Sequence, residues 1–254
     1  MGVDVVALGI KGVTDESLET IVGKLEYFKL GQIEKPIQAL KAAGVTRAVM
    51  AGKIEHVSLF GGILPDFRAA KILTRLSDKR TDTILKAVAN EFAKDGIELL
   101  PSALYLVHLL VPAGPLTARK PDHAQAADIR LGWKAAKAVS GFDIGQTVVV
   151  AQGAVVAVEG MEGTDACVLR AGALARSLGQ SPRLTVVKVA KPNQDVRFDL
   201  PVVGIKTLGV FLEAGVTAVA LEAATTLIFD KQEFLKKAEL QGLAIVALPA
   251  GGPA

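Results

Sequence analysis

The chain has 254 residues, half of them hydrophobic, with 25 glycines and a formal net charge of +3. That length suits one large domain or two small ones, the composition is that of an α/β protein with short connections, and the charge is too small for a nucleic-acid-binding face. The single cysteine, Cys167, excludes an intramolecular disulfide and fits a reducing compartment, the cytoplasm.

Met1 to Gly12 has no basic leader ahead of an apolar core, so no signal peptide is expected. Val3 to Leu8 reads as a strand, and Thr14 or Asp15 can cap a helix running to about Phe28. A second helix is expected over Glu34 to Ala43, with Pro36 in its first turn and Gly44 as its stop. Arg47 to Ala51 reads as a strand, Asp66 to Ser77 and Thr83 to Lys94 as helices, and Ile97 to Leu100 as a strand after Gly96. From Leu99 to Ala118 no residue is charged, but Pro101, Pro112 and Pro115 break the run. It reads as a buried strand plus a linker, or as apolar surface that meets lipid.

The stretch from Val111 to Gln125, rich in Pro, Ala and basic residues, is expected to link two domains. A helix over Ala126 to Val139 opens the second half. A hairpin follows, Thr147 to Val150 and Ala154 to Val158, turning at Gln152-Gly153. Next come a helix over Asp165 to Leu178, a strand over Leu184 to Val189, and a helix from about Lys206 to Ala214 stopped by Gly215. Strand Ala218 to Leu221, a strand or turn over Thr226 to Asp230, helix Lys231 to Leu240 and strand Leu243 to Leu248 close the chain. Alternating strands and helices predict α/β architecture: an N-terminal Rossmann-like parallel-sheet domain over 1–110, a linker over 111–125, and a C-terminal mixed α/β domain over 126–254.

Ligands of open α/β sheets bind at the carboxyl ends of strands, and three polar clusters fall there. Gly52-Lys53-Ile54-Glu55 follows the strand at Arg47. Glu159-Gly160-Met161-Glu162-Gly163-Thr164-Asp165 follows the hairpin and enters a helix. Gly160 and Gly163 permit a tight turn and close backbone approach. Thr164 is placed to cap the helix, whose amides favour an anion. Glu159, Glu162 and Asp165 suit a hard cation such as Mg2+; they also suit a plain capped helix with solvated acids. The third cluster, Lys191 to Asp199, packs Lys191, Asn193, Gln194, Asp195, Arg197 and Asp199 between Pro192 and Pro201 after an apolar strand. Lys191 and Arg197 can hold phosphate oxygens, while Asp195 and Asp199 can bind metal or orient a water; the bland alternative is a loop of surface salt bridges. His56, His108 and His123 lack zinc-ligand spacing. No G-x-S-x-G elbow, no G-x-x-x-x-G-K-[ST] loop and no G-x-G-x-x-G after a strand is present, which disfavours an oxidoreductase. Cys167, one turn into a helix, reads as a buried structural thiol.

Taken together, Phe142-Asp143-Ile144-Gly145-Gln146, Val158 through Asp165, and Val187 through Pro201 resemble the LpxI-type UDP-2,3-diacylglucosamine pyrophosphatases of bacterial lipid A synthesis. Leu30-Gly31-Gln32, Met50-Ala51-Gly52-Lys53, Pro65-Asp66, Ala127-Asp128-Ile129 and Leu221-Glu222-Ala223 extend the likeness over nearly the whole chain. The resemblance implies two α/β domains enclosing a ligand and Mg2+-dependent hydrolysis of UDP-2,3-diacylglucosamine to UMP and 2,3-diacylglucosamine 1-phosphate (lipid X). It implies a cytoplasmic enzyme with peripheral contact to the inner membrane, and a homodimer. The family's essential aspartate, in R-x-D-L-P, falls on Asp199, expected at the metal and the attacking water. Chemistry adds Asp165, Glu162 and Asp195 as metal ligands. It assigns Gly52, Lys53, Gly163, Thr164, Lys191, Gln194 and Arg197 to the substrate. Family members begin with a strand and a Gly-Gly-Gly-x-Leu-Pro loop, whereas Met1 lies where their next strand begins. The N-terminal domain is therefore expected to be incomplete at its start, and a homologue that binds sugar nucleotide or lipid without turnover is the alternative. Gly160, Ala224 and Arg80-Thr81-Asp82 stand where the family usually has alanine, glycine and Gly-Asp-Asp.

Overall fold

Short apolar runs punctuated by glycine become strands in both halves of the chain. The computed structural model describes residues 4–52, 64–76, 78, 81–177, 183–192 and 194–253. It divides into two units, Met1–Ser102 and Ala103–Ala254. Among the described residues no helix is long and apolar enough to cross a membrane.

In the first unit, β1 (Val6–Ile10) pairs in parallel with β2 (Lys24–Phe28), and β3 (Arg47–Val49) pairs in parallel with β4 (Glu98–Leu100). The helix expected from Thr14 to Phe28 is corrected. Asp15 caps only a short 3-10 turn, Glu16–Thr20, and the chain then extends into β2. Gly23 interrupts the helical run, and Leu25, Tyr27 and Phe28 favour extended backbone once β1 offers a pairing edge. The helices Glu34–Ala42, Phe67–Leu73 and Thr81–Lys94 occupy the expected places. Ile33, Ile37, Leu40, Ala69, Ile72 and Ile97 form their shared core. One carboxylate joins two helix starts. Asp66 Oδ1 accepts from Ala69 N at 2.8 Å, and its Oδ2 accepts from Ile33 N at 2.7 Å and Glu34 N at 2.9 Å.

The second unit is built on a six-stranded sheet in the order β5-β12-β10-β8-β6-β7. These strands are β5 (Gly114–Pro115), β6 (Thr147–Ala151), β7 (Ala154–Val158), β8 (Leu184–Lys188), β10 (Val216–Glu222) and β12 (Ala244–Leu248). The three central strands are parallel; β5, β6 and β7 run antiparallel to their neighbours. A separate parallel pair joins β9 (Val202–Val203) to β11 (Leu227–Ile228). The helix His123–Gly141 covers one face, where Ile129, Trp133 and Ala136 meet Val148, Val150, Val187 and Ala220. The helices Thr164–Ser177, Ile205–Ala214 and Lys231–Leu240 lie on the other. There Cys167, Val168, Leu208, Phe211 and Phe234 meet Val149, Val186, Val219, Leu221 and Ile245. The alternation along each strand is what a sheet covered on both faces requires.

Residues 111–125, expected as a linker, pack into this second unit. Val111 is buried, β5 hydrogen-bonds the edge of β12, and Thr117 Oγ1 accepts from Ile245 N at 2.8 Å. A segment rich in Pro, Ala and basic residues thus closes one edge of the sheet. The division of the chain falls earlier, after Ser102.

Candidate functional site

Strand register decides which loops meet. Lys188 at the end of β8 pairs with Thr147 at the start of β6 and with Leu221 of β10. Glu222 pairs with Leu248, and Val148 with Val158. The loops before β6 and after β7, β8, β10 and β12 therefore leave the same edge, at the carboxyl ends of the parallel strands. This is where open α/β sheets hold ligands.

Hydrogen bonds knit these loops together. Lys188, 7% exposed, donates from Nζ to Thr164 Oγ1 at 2.7 Å, and Thr164 donates to Glu159 Oε1 at 2.9 Å. Thr164 is the first residue of its helix, and its hydroxyl bridges two charged groups. Glu159 Oε2 accepts from Gln146 N at 3.1 Å. The Gln146 side-chain amide donates to Asp199 Oδ2 at 3.1 Å. Gln194 donates to the Asp199 carbonyl at 2.9 Å and accepts from Lys191 N at 2.7 Å. Lys191 Nζ lies 2.5 Å from Asp143 Oδ1, and Asp143 holds a left-handed φ of 60°. Thr164, Lys191, Gln194 and Asp199 are thereby brought together. Gly163, at φ 81°, turns the chain into the Thr164 helix. Gly145 is where two loops touch: a Cβ there would lie 2.1 Å from the Glu159 carbonyl oxygen.

The expected metal ligands are not gathered. Glu162 binds Arg170 at 2.7 Å and accepts from Gly160 N at 3.0 Å. The Arg170 hydrogen bond holds the Glu162 carboxyl below its ordinary range. Arg197 grips Asp195 through Nε at 2.9 Å and a terminal nitrogen at 2.7 Å, and Asp195 in turn raises the guanidinium. Arg197 also lies 4.9 Å from the centre of the Phe198 ring. The fork expected for phosphate is thus engaged with its own neighbour. Asp165 is half-buried in the first turn of its helix and Asp199 is exposed, and among the described residues no arginine is paired with either. Among the described residues no group of three or more His, Cys, Asp or Glu side chains converges to hold a metal. A resident carboxylate cage does not fit this arrangement. Mg2+ bound through one or two carboxylates together with phosphate oxygens does. Gly52 lies in the first unit at φ 105°; Lys53 lies outside the described residues.

A pocket of about 580 Å³ opens at the same edge of the second unit, lined among others by Trp133, Lys137, Lys191, Gln194, Leu200 and Glu222. Glu222, 3% exposed, accepts at Oε2 from Lys137 Nζ at 2.6 Å and from Ala190 N at 2.8 Å. Sequence reasoning assigned no role to Lys137, Lys188 or Glu222. The signal for two of them was a charged residue ending an otherwise apolar strand, which no half-buried surface requires. Lys137 carried no signal, since a lysine every few residues on a helix is ordinary.

Family models extend over both halves of the chain: that of the LpxI N-terminal domain matches residues 1–109, and that of the LpxI C-terminal domain residues 112–246. The UDP-2,3-diacylglucosamine pyrophosphatase LpxI of Caulobacter vibrioides is 32% identical over 245 residues, which is 94% of this chain and 86% of that protein. With both of its halves matched and its length shared almost throughout, the chain belongs to the LpxI family.

Proposed function

We propose that the protein hydrolyses the phosphoanhydride of UDP-2,3-diacylglucosamine, releasing UMP and 2,3-diacylglucosamine 1-phosphate. That the Caulobacter relative is a UDP-2,3-diacylglucosamine pyrophosphatase supports this reading. The observation that carries it is the Gln146–Asp199 hydrogen bond of 3.1 Å, because it fixes the R-x-D-L-P aspartate at the edge where the three family segments meet. In this reading Asp199 orients the attacking water. The water oxygen bonds to one phosphorus, the bridging P–O bond breaks, and the other phosphate leaves as a monoester. Such a reaction needs charge neutralisation and alignment more than a covalent nucleophile. Mg2+ would supply part of that neutralisation, with Asp199 and Asp165 the carboxylates open to it. Lys191, Gln194 and Thr164 would steady the phosphates. The diacyl substrate places the work at a lipid surface, and exposed Leu104, Tyr105 and Val107 of the second unit support a peripheral contact there.

The test is UMP release from UDP-2,3-diacylglucosamine with Mg2+ against a chelator blank. Asp199→Asn is expected to lower turnover by about 10²–10⁴-fold while substrate still binds. Absence of UMP above the blank would overturn the reading, and ligand-induced thermal stabilisation without product would identify a binding protein instead.

A further inference from the structure

We propose that Lys137 is a phosphate-binding residue of the second unit's pocket and that Glu222 is the positioning residue that aims it. The proposal rests on the reading above for the identity of the anion, not for its existence.

Lysine carries three N–H donors. Two of them on Lys137 are spent inside the fold, on Glu222 Oε2 at 2.6 Å and on the Ala190 carbonyl at 3.0 Å. Both acceptors lie on the sheet side, and the side chain keeps 24% of its surface exposed where it lines the pocket. The third donor is therefore the one left for an occupant. The flexible stem that normally makes lysine an imprecise ligand is here fixed at its tip. Trp133 lies one turn back along the same helix, with its ring 5.8 Å from the Lys137 nitrogen. Trp133 is itself held by the turn after β12. Gly252, at φ 86°, passes so close that a Cβ would sit 2.6 Å from the indole nitrogen.

Lys134, Lys137 and Lys191 line the pocket, and Glu222 is its one lining carboxylate among the described residues. Lys191 is paired with Asp143 and Lys137 with Glu222, so the exposed Lys134 is what tips the lining toward an anion. An ion pair retained only for stability is a poor reason for this arrangement, because a well-packed apolar pair of similar volume is often as stable or more so. The pair also joins the loop expected at the reaction. Glu222 and Lys137 between them hold both the N–H and the carbonyl of Ala190, the residue before Lys191. An occupant drawn to Lys137 lies beside Lys191 and Gln194, which line the same space.

The experiment is titration calorimetry of the full chain with pyrophosphate and, separately, with UMP and inorganic phosphate, on wild type, Lys137→Met and the double variant Lys137→Met/Glu222→Leu. The double variant guards against misfolding from an unpaired buried carboxylate. Wild type is expected to bind pyrophosphate or UMP more tightly than inorganic phosphate. Both variants are expected to bind about 10-fold more weakly or worse, the loss of one charge-assisted hydrogen bond. A double variant that melts like wild type and binds pyrophosphate and UMP unchanged would overturn the proposal, leaving the pair structural. So would a wild-type protein that binds neither pyrophosphate nor UMP. Lys137-dependent binding in a protein that releases no UMP would uphold this site while refuting the hydrolase.

Discussion

Gly145→Ala tests whether the loops of the candidate site are held by close approach. The added Cβ would fall 2.1 Å from the Glu159 carbonyl oxygen, 2.7 Å from its carbon and 2.9 Å from the Glu159 Cβ. Two of these atoms are backbone, so no side chain can swing away, and roughly 1 Å of movement is needed to restore ordinary contact. Overpacking of this kind costs about 1–3 kcal/mol. The shift also strains the hydrogen bonds from Gln146 N and Thr164 Oγ1 to Glu159, each worth about 1 kcal/mol. The expected destabilisation is ~2–4 kcal/mol, or a fall in Tm of roughly 4–16 °C for a domain of this size. Turnover should fall further than stability alone predicts, because Gln146, the next residue, holds Asp199. The matched control is Gly209→Ala, in the Ile205–Ala214 helix with nothing within 4 Å of the new atom; it should raise stability by ~0.5–1 kcal/mol. Circular dichroism melts and UMP release on both variants decide the matter. A Gly145→Ala protein that melts and turns over like wild type would refute the reasoning.

Further outcomes are expected elsewhere. Gly172→Ala should destabilise the second unit by about 1–3 kcal/mol, because its Cβ would meet the Ala214 carbonyl at 2.6 Å where two helices pack; urea titration reads this. Burial would raise the Asp66 carboxyl, but the amides of Ala69, Glu34 and Ile33 together hold it below its ordinary value. Its stabilisation is thus full above about pH 4 and lost as pH falls through the lower folded value. Melts between pH 2 and 6 should show this loss in wild type and a flatter profile in Asp66→Asn. Burial pushes the Cys167 thiol up to about 11, so the native protein should resist alkylation by iodoacetamide at pH 8 and react once unfolded in urea.

Local signals carried the elements whose stabilisation is local. The Gly215 stop at φ 84° and the Gln152-Gly153 hairpin turn each act within a few residues, and each is where spacing placed it. The stretch from Asp15 to Phe28 misled because Lys24–Phe28 becomes a strand only by pairing with β1, a partner outside any helical window. The same distinction separates the site residues. A polar loop after β8 was legible. That Arg197 would close on Asp195, and Arg170 on Glu162, depends on rotamers that composition does not encode. Lys137 and Glu222 are 85 residues apart, on a helix and a strand, and only the folded sheet brings them together.

The antiparallel turn of β6 explains why the family's separated segments meet. In an all-parallel sheet, the loop before a strand lies at the edge opposite the loop after it. Here β6 runs against β8, so its beginning, Gln146 and Thr147, lies beside the end of β8 at Lys188. The Gln152-Gly153 turn then falls at the far edge, where Gly153 N donates to the buried Asp128 carboxylate at 2.7 Å. β7 returns the chain to the near edge at Val158, just before Glu159. Reversing one strand thus adds the loops before β6 and after β7 to the three that parallel β8, β10 and β12 already deliver. The Gln146–Asp199, Gln146–Glu159 and Thr164–Lys188 hydrogen bonds all require that reversal. Assembly along one edge of a mixed sheet, rather than from parallel strands alone, is the structural reason three short motifs far apart in the chain meet.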